Sequence, residues 1–278
     1  KKEGLYDEMY NYLEKLGVKS TYKNNKILSQ NDIKILFEMR SNNKHFYIRN
    51  MMLFSIFCNG IRVSDLLLMR NSDIKDDYID IDIKKTDDNI IVKYNDRLLS
   101  LLLDIYNLWE VIFPNKPKLK NFLISTTKEK KFSEKDKIKI ISKIKELPKN
   151  DFVFKDFLLQ EPNLLKYDKS RELTIDQNNS LVRLRGRYNY HLKEMSKDNK
   201  FDIGIISSHS GRYTFTNHLL TIDTINLLDI QTALGHKRLS TTENYINKNF
   251  NQNRVSKIGN DLNEKLTNDI YNFDDNEN

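Results

Sequence analysis

Residues 205–246 read IISSHSGRYTFTNHLLTIDTINLLDIQTALGHKRLSTTENYI, and their polar residues are hard to place on a plain surface or in a plain core. His209 and Arg212 stand three apart, which puts them on one face of a helix. His236 follows at a Leu-Gly-His turn, and Tyr245 comes nine residues later, beyond Ser240-Thr241-Thr242, a helix-start pattern. A helix offering His with Arg, a second His at a turn and a tyrosine beyond it together suit an anionic substrate. They supply a planar cationic clamp, proton-transfer groups and a potential nucleophile.

Working outward, GIRVSDLLLMR (60–70) places Arg62 at the opening of a helix beside Gly60, with Asp65 one turn on. Taken in order, GIRVSDLLLMR, SSHSGRYTF (207–215) and ALGHKRLSTTENY (233–245) resemble the catalytic domain of the tyrosine recombinases, the phage-integrase family. The resemblance spans roughly residues 24–250 and is loose over 115–180. It implies that Arg62 and Arg212 grip the two non-bridging oxygens of a scissile phosphate, with Asp65 orienting Arg62 or a histidine. It implies Tyr245 as nucleophile, Lys85 on a β-turn as general acid, and His209 and His236 as phosphate and proton-transfer groups. Lys84 is the rival for the hairpin lysine. Gly211 departs from the family, which commonly has a larger apolar residue there, and a locally looser helix is expected.

The bulk composition fits this. The chain has 278 residues, 38% hydrophobic and 31% charged, which describes a globular protein and excludes a disordered one. Only 8 glycines and 4 prolines favour helices over many-turned β architecture. The net charge of +7 suits a polyanionic partner without singling one out. The lone cysteine, Cys58, lies in the apolar run MMLFSIFC, which reads as core and fits a reducing compartment. Scattered His, Asp and Glu make no metal site, no phosphate-cradling glycine loop is present, and no cofactor is expected. The longest apolar stretch is broken by Asp104, Asn107 and Glu110, so no membrane span is expected.

The fold class read from the periodicity is mainly α with a small antiparallel β-sheet (α+β). The resemblance implies that residues 1–23 are the end of an upstream helical core-binding domain and its linker, 24–250 the catalytic domain, and 251–278 a C-terminal helix and tail, docked in cis or exchanged between protomers. Ser29 with Asp32 forms a capping-box start. His45 to Cys58 is a buried helix ended by Asn59-Gly60, and Ile61 to Met69 starts another. Tyr78–Ile83 and Ile90–Tyr94 are strands of a hairpin or a three-stranded sheet. Arg97 to Phe113 reads as one long helix. Glu134 to Leu147 is a helix with Ile138, Ile141 and Ile144 inward, Asp151–Leu159 packs into the core, and Gln160–Gln177 is irregular. Asn179 to Lys197 is a helix carrying Arg183 and Arg187 one turn apart.

The expected function is site-specific strand exchange on double-stranded DNA through a 3′-phosphotyrosyl intermediate, for a mobile element or virus. A type IB topoisomerase-like nicking-closing enzyme and a catalytically silent DNA-binding protein of the same fold are the alternatives. Lys84, Arg183, Arg187, Lys237 and Arg238 are candidate DNA contacts. A homo-oligomer, a tetramer on DNA, is expected, in the cytoplasm or nucleoid, or in a host nucleus for a eukaryotic virus.

Overall fold

The computed structural model describes residues 27–84, 88–114, 132–220 and 225–243. Its elements are mostly helical: α1 (Gln30–Glu38), α2 (Phe46–Phe57), α3 (Val63–Leu67), α4 (Asp96–Ile105), α5 (Trp109–Ile112), α6 (Glu134–Lys145), α7 (Lys155–Leu158), α8 (Pro162–Leu165), α9 (Ile175–Asn199), α10 (Ser210–Leu220), α11 (Leu227–Ala233) and α12 (Leu239–Glu243). One antiparallel hairpin, β1 (Tyr78–Ile83) with β2 (Asp88–Lys93), completes the fold, with Ile81 opposite Ile90. The architecture is therefore mainly α with a small antiparallel sheet, and the sheet has two strands. The β1 side chains alternate between partly covered and buried, which is how a half-buried strand reads at period two.

Helix α2 is the centre of the core. Its run from Ile48 to Ser55 is buried on every side, including Met51, Met52, Leu53 and Phe54. A helix buried all round needs neighbours all round. It packs on α4, α9 and α10, and the Phe54 ring meets Phe154 edge-on at 5.4 Å. At its end Asn59 and Gly60 both take positive φ, 54° and 63°, turning the chain sharply into α3. Helix α1 begins at the expected capping box, where Ser29 Oγ accepts from Asp32 N at 3.0 Å and Asp32 Oδ2 accepts from Ser29 N at 2.9 Å.

Three expectations change. The stretch from Arg97 to Phe113 is two helices, because Asn107 turns left-handed (φ 54°) and Leu108 N donates back to Leu103 O at 2.9 Å. Trp109 Nε1 then donates to Asp104 Oδ1 at 2.6 Å and fixes the corner. On α6 the inward side chains are Ile140, Ile141 and Ile144, while Ile138 is 67% exposed. Between 160 and 177 lie the short α8 and the start of α9, whose Thr174–Gln177 capping box begins the helix at Ile175. Cys58 is fully buried, as a core residue should be. Among the described residues no helix is long and apolar enough to cross a membrane.

Candidate active site

Three segments distant in sequence meet at one recess of about 230 Å³, lined by Ile61, Arg62, Val63, Ser64, Arg185, Ser208, His209 and Arg212. Arg62 is the N-cap residue of α3 and delivers its side chain from the sharp Asn59-Gly60 turn. His209 lines the recess, exposed, just before α10, where its carbonyl accepts from Tyr213 N at 2.9 Å.

Arg212 is the most constrained group of the site, only 1% exposed. Its Nη1 donates to Gly60 O at 2.7 Å, and its Nη2 donates to Leu234 O at 2.6 Å. Nη2 also lies 2.7 Å from His236 Nε2. A guanidinium only donates, so His236 Nε2 accepts and its proton is on Nδ1, which faces Thr242 Oγ1 at 2.9 Å. His236 is thus a neutral imidazole held between Arg212 and α12. The peptide of His236 is pinned too: its N–H donates to Gln231 O and its carbonyl accepts from Gln231 Nε2.

The glycines explain the close approach. A Cβ on Gly60 would lie 3.0 Å from Arg212 Cα. Gly235, at φ 60°, forms the turn before His236 and rests against Ile83 and Ile90 of the hairpin. The hairpin therefore supports the turn that carries His236. Gly211 is a tight contact rather than a loose point: a Cβ there would lie 3.1 Å from both Met52 Sδ and Ser55 Oγ on α2.

Asp65, on the first turn of α3 and 4% exposed, joins the recess to the hairpin. Its Oδ1 accepts from Lys84 N at 3.3 Å, and its Oδ2 lies 3.9 Å from Arg62 Nη1. Neither Arg62 Nη1 nor Asp65 Oδ2 has a hydrogen-bond partner among the described residues. Burial pushes the Asp65 carboxyl up to about 6, against the pull of Arg62, the Lys84 N–H and Arg212.

The other sequence candidates fall in different places. Lys84 is exposed, with its ammonium 5.4 Å from the centre of the Tyr167 ring. Arg183 is held by Glu161 through two bonds, Nε to Oε1 at 2.8 Å and Nη2 to Oε2 at 2.6 Å. Arg187 is half-buried on α9, and Lys237 and Arg238 are exposed between α11 and α12. None of these five lines the recess. Lys85 and Tyr245 lie outside the described residues, as do the segments 1–23 and 251–278. Arg185, Ser64 and Ser208 line the recess without having stood out in the sequence. No sequence pattern set Arg185 apart; Asn189, four residues on, ties this turn of α9 to Ser208, whose N donates to Asn189 Oδ1 at 2.8 Å. Among the described residues no cluster of His, Cys, Asp and Glu suits a metal ion.

No protein-family model matches the chain, and no curated protein matches it. Among solved structures it is similar to the crystal structure of XerA recombinase, at 16% identity and a TM-score of 0.46, over 83% of this chain. The match covers 64% of the XerA chain, under two thirds of its length.

Proposed function

We propose that this chain is the catalytic region of a tyrosine-type site-specific DNA recombinase. The observation that carries the proposal is the convergence of Arg62, His209 and Arg212 on one recess, with His236 bonded to Arg212. A phosphodiester resists attack until the charge growing on its non-bridging oxygens is neutralised. Two arginines from different elements suit that task, because the guanidinium fork donates in pairs and stays charged at any working pH.

In this reading the Tyr245 phenol oxygen attacks phosphorus and the bond to the 5′ oxygen breaks. The departing oxygen takes a proton from Lys85, and the phenol proton passes to a base of the site. A 3′-phosphotyrosyl bond and a free 5′-hydroxyl result. An incoming 5′-hydroxyl reverses the chemistry and releases the tyrosine, so strand joining needs no nucleotide. Asp65 acts through Arg62 and the hairpin, not on the phosphate. The family resemblance implies four copies acting on two duplexes, in the movement of a mobile element or viral genome.

The test is covalent trapping. The full chain is incubated with nicked duplexes of randomised sequence, denatured, and scored for protein joined to a DNA 3′ end. The expected result is an adduct that Tyr245→Phe abolishes and Arg212→Gln reduces by at least about 100-fold, the scale of losing a preorganised oxyanion donor. An adduct undiminished in Tyr245→Phe removes the nucleophile assignment. Relaxation of supercoiled plasmid without strand exchange between duplexes moves the assignment to a nicking-closing enzyme.

A further inference from the structure

Arg185 projects to the recess from the middle of α9, the 25-residue helix. It shares the lining with Arg62, His209 and Arg212, and none of the described lining residues is acidic. Like charges around one opening repel, and the carboxylate beside them, Asp65, lies against Arg62 and pulls on Arg212. Two residues earlier, Arg183 is neutralised by Glu161. Arg185 makes no ion pair among the described residues, so the two arginines of this exposed stretch have different surroundings.

The next residue, Gly186, is a glycine inside a long helix. Such a position costs about 1 kcal/mol relative to alanine. Gly60 and Gly211 are accounted for by neighbours at 3.0 and 3.1 Å, but a Cβ on Gly186 would meet nothing within 4 Å. Nothing packed inside the described chain requires the missing side chain. It leaves a strip of bare backbone on the outer face of α9, one turn from the exposed Val182 and one turn from the exposed Tyr190. Glycine is the residue that lets another chain's backbone come close.

This strip is in fixed register with the recess. Asn189 Nδ2 donates to Arg185 O at 3.0 Å, and Asn189 Oδ1 accepts from Ser208 N at 2.8 Å. The turn of α9 bearing Arg185 and Gly186 is thereby clipped to the turn that delivers His209.

We propose that Arg185 and the bare backbone at Gly186 form a second phosphate subsite. Arg185 holds the phosphate next to the one in the recess, and the sugar-phosphate chain lies against α9 where Gly186 leaves room. Arg185 is then a positioning residue that sets which phosphodiester enters between Arg62 and Arg212. The inference rests on the recombinase reading for the identity of its anion.

The test uses the full chain with Arg185→Ala, Arg185→Lys and Gly186→Leu, and a fluorescent duplex followed by anisotropy over a salt series. Arg185→Ala is expected to flatten the slope of log affinity against log salt by about 0.9, the share of one phosphate, and Arg185→Lys to restore it. Gly186→Leu is expected to weaken binding while its melting temperature equals or exceeds that of the wild type, since its side chain enters open space and helix propensity improves. An unchanged slope for Arg185→Ala, or unchanged affinity for Gly186→Leu, overturns the proposal. These readouts need no cleavage. A wild-type chain that forms no covalent adduct but shows both binding effects sinks the recombinase reading and leaves the subsite standing.

Discussion

Burial lifts the Asp65 carboxyl to about 6, so the folded protein binds that proton more tightly than the unfolded chain does. The linkage then has a definite sign. The stability this group supplies is present below pH ~4 and is lost as pH rises through about 6. Two units correspond to about 2–3 kcal/mol. Urea unfolding at pH 4.5 and 7.5 should therefore show Asp65→Asn gaining relative to the wild type at the higher pH, by about 2 kcal/mol. Equal differences at the two pH values would contradict the burial argument. Gly60 is the second sensitive residue. Gly60→Ala places a side chain at φ 63° and 3.0 Å from Arg212 Cα. The strained backbone costs about 1–3 kcal/mol. Displacement of Arg212 should lower adduct yield further than the loss of stability explains, which adduct assays on the fully folded variant would measure.

Helix α10 carries both His209 at its entrance and Arg212 within it, and its position is set by contact with α2. Gly211 makes that contact possible, with Met52 Sδ and Ser55 Oγ each 3.1 Å from its would-be Cβ. Gly211→Leu forces the helices apart, an overpacking cost of about 1–3 kcal/mol. The expected outcome is a lower melting temperature and a loss of adduct formation, because Arg212 moves away from Gly60 O and Leu234 O. Retention of both properties would mean that α10 is placed by something other than this contact. The hairpin plays the matching part for His236: Ile83 and Ile90 back the Gly235 turn, and Lys84 N is tied to Asp65.

Across the whole molecule, a buried cation ties together three helices behind the site, one of which, α2, packs on α10. Arg49, 2% exposed, donates from Nε to Leu36 O at 2.7 Å and from Nη1 to Asn50 Oδ1 at 2.6 Å, and its Nη1 meets Asp104 Oδ2 at 3.2 Å. It joins the end of α1 to α2 and α4. Removing one member of such a pair leaves the other charge buried, at about 3–5 kcal/mol. Arg49→Ala should lower the urea midpoint accordingly, although Arg49 lies outside the recess lining. A loss below 1 kcal/mol in that titration would show that solvent reaches Asp104.

The sequence by itself determined the helix-rich class, the capping box at Ser29, the stop at Asn59-Gly60 and a small antiparallel sheet. Each is a local property: a cap, a turn or a period is written within a few residues. It left the sheet open between two and three strands and the partner of Asp65 open between Arg62 and a histidine. Local pattern also failed in identifiable places. Ile138 fitted the helical stripe as well as Ile140, and only neighbouring elements choose which is covered. Asn107 ended α4 by adopting a left-handed turn, which its neighbours Tyr106 and Leu108 did not signal. Gly211 looked like a loosened point because its crowding comes from α2, more than 150 positions upstream. The tertiary structure alone decided that Arg212 is held by the carbonyls of Gly60 and Leu234, that His236 is neutral between Arg212 and Thr242, and that Arg185 faces the recess while Arg183 is held by Glu161. Spacing along a chain sets which side chains share a face, but only the packing of distant elements sets what that face meets.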